Sequence, residues 1–94
     1  MKIYLSGKIT GNPDFAEQFA DAEEKAKAAY YGAAVLNPAI MPSGMGQSDY
    51  MRISMAMLDC SDMVFMLPNW KESEGARVEN AYAEKVGKKI VYLI

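Results

Sequence analysis

Four short apolar runs, at residues 2–6, 33–36, 63–67 and 89–93, constrain this chain more than any other feature. Each is continuous rather than alternating, the pattern of strands buried on both faces of a parallel sheet. Three stretches between them read as helices. The first spans residues 13–31 and is rich in Ala, Glu and Lys. Asn12 is its expected cap, Pro13 or Asp14 falls in its first turn, and Gly32 ends it. The second spans residues 48–58, with Gln47 or Ser48 near its start. The third follows Ser73, an expected N-cap, and runs to Val86 before Gly87. An alternation β-α-β-α-β-α-β implies an α/β sandwich joined by right-handed crossovers. For four strands the simplest order is 2-1-3-4. That is a flavodoxin-like three-layer sandwich with a four-stranded parallel sheet and three helices.

The chain has 94 residues, which fits one domain over 1–94 with a real hydrophobic core. Its formal net charge is -2 and its lysines are scattered, so no basic face is available for a nucleic acid polymer. Histidine is absent, which removes Ser-His-Asp and Cys-His devices and the usual zinc sets. A single cysteine, Cys60, excludes an intrachain disulfide, and its setting is that of a buried helix end. Acid-base work therefore falls to carboxylates, tyrosine or lysine. The chain starts directly on a strand without a signal peptide, and no apolar run approaches the ~20 residues of a membrane span. The expectation is a cytoplasmic protein with no membrane partner.

In the 2-1-3-4 order the topological switch lies between strands 1 and 3, and ligands bind at the carboxyl ends of the strands beside it. Two loops meet there, residues 6–11 and 68–75. The second feeds straight into the third helix. On a helical wheel Ala76, Val78, Tyr82, Ala83 and Val86 share the apolar face of that helix, and Arg77, Asn80 and Glu84 point away. Glu79 falls in the middle of the apolar face. A carboxylate there is paired, protonated or used, because burying an unpaired charge is costly. The bland alternative is a Glu that snorkels to the helix edge and pairs with a lysine.

Other residues join it with two readings each. The loop Gly7-Lys8-Ile9-Thr10-Gly11 offers backbone donors, a lysine and a hydroxyl to a phosphate or carboxylate, although glycines serve any tight strand-to-helix turn. Ser73 caps the third helix, binds an anion, or does both, and small residues at Gly75 and Ala76 let a ligand approach. Tyr4, on the first strand, either bonds Glu79 or is a core tyrosine with a satisfied hydroxyl. Trp70 stacks on a base or covers the edge of the core. Asp62 reads as a turn residue, and the methionines between Met51 and Met57 as core fillers. The loop 37–46, with Pro38 and Pro42, sits on the same rim as a wall or a lid.

Together these residues resemble the nucleoside 2-deoxyribosyltransferase-like superfamily, and within it a small branch common in phages and bacteria. The likeness rests on Tyr4-Leu5-Ser6-Gly7-Lys8-Ile9-Thr10-Gly11, on Ser61-Asp62-Met63-Val64-Phe65-Met66-Leu67, on Ser73-Glu74-Gly75-Ala76, on Glu79-Asn80-Ala81-Tyr82-Ala83, and on Gly87-Lys88-Lys89. It covers essentially the whole chain. What it implies is cleavage of an N-glycosidic bond, with Glu79 as the nucleophile that forms a glycosyl-enzyme and Tyr4 as its orienter. Base then leaves, and a second base or water resolves the intermediate. A serine six residues before the nucleophile, here Ser73, marks the branch that uses nucleoside 5′-monophosphates.

Gly7, Lys8, Thr10, Ser73 and Gly75 would hold the sugar-phosphate end, and Trp70 would border the base. No metal or organic cofactor is required, and the superfamily is oligomeric, so a homo-oligomer is expected. Two departures stand out. Active members carry an aspartate on the second helix where this chain has Ser54, with Asp59 and Asp49 as imperfect substitutes. Active members also complete the pocket with a C-terminal segment from a neighbour, whereas this sequence stops at Ile94. These departures fit a rival reading, a nucleotide-binding module without turnover.

Overall fold

A computed structural model describes all residues 1–94. The elements are β1 (Lys2–Ser6), α1 (Phe15–Ala29), β2 (Ala34–Leu36), α2 (Gln47–Cys60), β3 (Met63–Met66), α3 (Glu74–Lys85) and β4 (Lys89–Tyr92), with single 3₁₀ turns at Pro38–Ile40 and Trp70–Glu72. The four strands are parallel in the order β2-β1-β3-β4, the flavodoxin-like arrangement expected from the alternation of elements. Tyr4 lies opposite Leu36 and Val64, and Ser6 opposite Met66, so β1 is hydrogen-bonded on both sides.

Period-2 alternation along the inner strands explains why their sequences are continuously apolar. Ile3, Leu5, Met63 and Phe65 face α1, which answers with Phe19, Ala22 and Ala26. Tyr4, Val64 and Met66 face the other way, onto Leu58 of α2 and Ala76 and Ala83 of α3. Both sheet faces are thus covered, as a parallel sheet requires. No helix is long and apolar enough to cross a membrane.

Several local expectations are corrected. Asn12 does not cap the first helix, which begins two residues later than predicted, at Phe15. Its side-chain amide instead donates to the Lys8 carbonyl (2.9 Å) and to Gln18 Oε1 (2.8 Å), closing the loop that follows β1. The helix ends at Ala29 rather than Tyr31, and Tyr31 is fully exposed before Gly32 turns the chain at φ 81°. Cys60 is exposed, not buried. The inward row of α2 is Ser54 and Leu58, four residues apart, and Cys60 lies about 200° beyond Leu58 on the wheel.

The face of α3 also differs from the predicted one. Its buried row is Ala76, Glu79, Asn80 and Ala83, the i, i+3, i+4, i+7 pattern, whereas Val78 and Val86 are about half exposed. Asn80, expected outside, is buried and donates to the Tyr92 hydroxyl at 2.9 Å. Glu79 remains on the inner face under either assignment.

Gly7 matters to this framework for its size. A Cβ there would lie 2.8 Å from Leu67 Cβ and 3.2 Å from Asn69 Oδ1. Leu67 Cβ is attached directly to the backbone leaving β3 and has no rotamer with which to withdraw. Gly7→Ala is therefore expected to cost about 1–3 kcal/mol through overpacking. The loss should appear as a lower denaturant midpoint at unchanged slope. A wild-type midpoint would show that the loops after β1 and β3 separate freely.

Candidate functional site at the carboxyl ends of the central strands

The switch between β1 and β3 opens onto a cleft of about 650 Å³. Its floor is Tyr4 from β1 and Glu79 from α3. One wall is the loop after β1, through Gly7, Ile9 and Thr10. The opposite wall is α2, through Gln47, Tyr50, Met51 and Ser54. Pro38 and Met41 from the loop after β2 close one end, and Glu72, Ser73, Glu74, Gly75 and Ala76 form the lip where α3 begins.

Glu79 is 5% exposed and has no cationic partner. The Tyr4 hydroxyl donates to its Oε2 at 2.8 Å, and the Ser6 hydroxyl donates to its Oε1 at 2.6 Å. Each carboxylate oxygen thus receives one short, charge-assisted bond. Burial pushes the Glu79 carboxyl above the usual glutamate range, and the donations from Ser6 and Tyr4 pull it part of the way back. Tyr4 is pushed well above the usual tyrosine range, chiefly by burial and then by the Glu79 charge, against a smaller opposite effect of the Ser54 hydroxyl. It is therefore a phenol that keeps its proton and donates it as a hydrogen bond.

Ser6 is the member of this arrangement that the sequence reading missed. The signal was present, since residues two apart on a strand share a face and Tyr4 was already a candidate. Of the predicted site residues, Tyr4, Glu79, Gly7, Thr10, Ser73 and Gly75 line the cleft. Lys8 and Trp70 do not. The Lys8 amide donates to Asn69 Oδ1 at 3.1 Å, and its ammonium lies 4.0 Å from Glu72. Trp70 packs on the ring of Tyr92, 5.7 Å between centroids, at the edge of the α2–α3 core.

Ser73 combines two capacities. Its oxygen accepts the Ala76 amide at 3.1 Å as a helix cap, which leaves its own proton for another acceptor. Ser54 stands on α2, buried, with its hydroxyl beside that of Tyr4. Asp59 and Asp49 are absent from the lining: Asp59 accepts the Tyr82 hydroxyl at 2.7 Å, and Asp49 pairs with Arg52 at 3.0 Å. No group of three or more His, Cys, Asp or Glu side chains converges as a metal site would need.

The raised Glu79 carboxyl has a consequence for stability. Between the ordinary glutamate value and its own raised value, the folded state binds a proton that the unfolded chain has lost. Stability attributable to this group therefore falls as pH rises through that window, and the penalty stays constant above it. Glu79→Gln removes the penalty and keeps one hydroxyl donation through its amide oxygen, while its NH2 donates to the other hydroxyl oxygen. At pH 7 it is expected to melt at or above the wild type, and the difference should shrink as pH drops through the window. A variant that melts well below wild type at pH 7, with no trend in pH, would show that the ionised carboxylate stabilises the fold.

Comparison with known proteins supplies three findings. Residues 1–92 match the family model described as "Domain of unknown function (DUF4406)". No curated protein matches the sequence. Among solved structures, the fold is similar to that of a 2-desoxiribosyltransferase from Leishmania mexicana, with a TM-score of 0.70 and 19% identity. That alignment covers 98% of this chain and 63% of the other, so this chain spans less than two thirds of its neighbour's length. The match across nearly its entire length places the chain in the family of the domain of unknown function DUF4406.

Proposed function

We propose that this protein cleaves or transfers at the N-glycosidic bond of a nucleoside or nucleoside 5′-monophosphate, through a covalent glycosyl-Glu79 intermediate. The observation that carries the reading is the Glu79 carboxylate itself. It is buried, free of any cation, and aimed at the cleft by Tyr4 and Ser6. A carboxylate whose two oxygens receive only neutral donors is not neutralised by an ion pair and keeps its reach toward an anomeric carbon. In the reaction, a Glu79 oxygen bonds to C1′ as the C1′–N bond breaks, and water or a second base then reverses the substitution. Tyr4 and Ser6 act as positioning residues. The Ser73 proton and the open amides at the start of α3 would hold the sugar-phosphate end. The likeness in fold to a deoxyribosyltransferase agrees with this chemistry.

A second reading is a nucleotide-binding module without turnover, and the presence of Ser54 rather than an acid on the α2 wall favours it. Self-association belongs to the proposal as well, because Ile53, Val78 and Val86 leave apolar side chains exposed on the helical layer.

Incubation with ribo- and deoxyribonucleosides and their 5′-monophosphates, with and without an acceptor base, distinguishes these readings by chromatography of the products. Free base is expected from wild type, with Glu79→Ala at least about a thousandfold slower. Ser73→Ala is expected to raise KM for the monophosphates more than for the nucleosides. Ligand-induced rise in melting temperature with no base released from any substrate would overturn the enzyme and leave the module.

A further inference from the structure

The charges and protons of the cleft are unbalanced in a way that bears on its substrate. Three carboxylates line it, Glu72, Glu74 and Glu79, and no lysine or arginine does. The Lys8 ammonium lies against Glu72 at the lip instead of in the lining. The Ser73 cap takes the Ala76 amide and Glu74 adds a negative charge in the first turn of α3, which offsets part of the positive end and leaves the first two amides open. Lys8 offsets Glu72, and Glu74 and Glu79 are the lining carboxylates left without a cationic partner.

The protons are the second part. Departure of a neutral base leaves an electron pair on the glycosidic nitrogen, and an acid ordinarily supplies the proton that stabilises it. Beside Tyr4 and Glu79 the α2 wall presents Met51 and Ser54, and an aliphatic hydroxyl is not an acid in this sense. The Tyr4 proton is engaged with Glu79, and the Tyr50 proton with the Pro42 carbonyl at 2.6 Å. Glu72 and Glu74 are exposed at the lip.

We propose that the substrate carries a formal positive charge on its base at the glycosidic linkage, as in a pyridinium riboside or a 7-alkylpurine nucleoside. The inference rests on the glycosidic reading above and narrows it. The step then balances without an acid. A Glu79 oxygen bonds to C1′, the C1′–N bond breaks, and its electron pair neutralises the cationic base, which leaves uncharged. Water attacks C1′, the C1′–Glu79 bond breaks, the carboxylate is regenerated, and one proton passes to solvent. The same charge draws the substrate into a cleft lined by carboxylates. Tyr50 lines the same space and is held in place because its hydroxyl also accepts the Met45 amide at 3.4 Å.

Matched pairs test this: 7-methylguanosine against guanosine, 7-methyl-2′-deoxyguanosine against 2′-deoxyguanosine, with nicotinamide riboside as the pyridinium probe. Base release by the wild-type protein is measured at neutral pH, with the Glu79→Ala rate subtracted to remove spontaneous loss. An acid in the cleft would compress the difference within each pair, and its absence preserves it. The methylated member is expected to have the larger kcat/KM by at least about a hundredfold. Its KM should rise several-fold with ionic strength, while that of the neutral partner does not. A smaller ratio, with clear release from guanosine or 2′-deoxyguanosine, overturns this inference and leaves the glycosidic reading standing. No Glu79-dependent release from any of the five compounds overturns this inference, and the wider panel of nucleosides and 5′-monophosphates decides the glycosidic reading separately.

Discussion

A carboxylate held inside the fold by two neutral hydroxyls is the interaction around which the rest of this protein is arranged. An unpaired buried charge is costly, and the usual remedy is a cation. Here Tyr4 and Ser6 occupy that place from alternate positions of β1, the strand hydrogen-bonded on both edges. Hydroxyl donors satisfy the lone pairs of Glu79 without cancelling its charge. A lysine in the same place would satisfy them too, at the expense of basicity and access. The bond pair also sets the register of the layers, because α3 can sit on the sheet only where Glu79 meets both donors.

The mouth of the cleft is held by a second polar assembly that involves no charge. Asn69, after β3, accepts the Lys8 amide through Oδ1 and donates to Gln18 through Nδ2. Asn12 donates to the same Gln18 oxygen and to the Lys8 carbonyl. Loop, helix α1 and the segment after β3 are thereby tied into one unit, with Gly7 allowing the close approach that the ties require. Gly7, Ile9 and Thr10 consequently meet the cleft from a fixed base. The Lys8 amide, which a free loop would offer to an anion, is already used.

How much of this was legible in the sequence depends on whether the determining contacts were local. Continuous apolar strands and the turn glycines Gly32 and Gly87 after the first and third helices gave the order of elements, because those signals act over a few residues. Glu79 was conspicuous because a charge on an apolar face is costly wherever the partner lies. Its partners were less visible, since Tyr4 and Ser6 are more than seventy positions away along the chain. Period-2 alternation pairs them with each other but does not say what they face. Asn80 and Val78 changed sides because each helix residue is placed by the packing of its neighbours, and the row through Ala76 and Ala83 prevailed over the hydrophobicity of Val78. Lys8 and Trp70 were candidates by composition, and their positions were decided by Glu72 and Tyr92, contacts that local pattern cannot supply.

The cleft also separates two electrostatic tasks. What shifts Glu79 is its burial, opposed by Ser6 and Tyr4, all of it within hydrogen-bonding distance of the carboxylate. Glu72 and Glu74 stand at the exposed lip, where water screens them from the floor. Their charge lies at the entrance of the cleft, while the hydroxyl pair governs the buried carboxylate at its floor. Lip charges can therefore change without disturbing the buried carboxylate, and a change at Tyr4 or Ser6 alters that carboxylate while leaving the field at the entrance intact. A fold that draws its donors from the central strand and its rim from the start of a helix can thus change the charge at the entrance independently of the environment of Glu79.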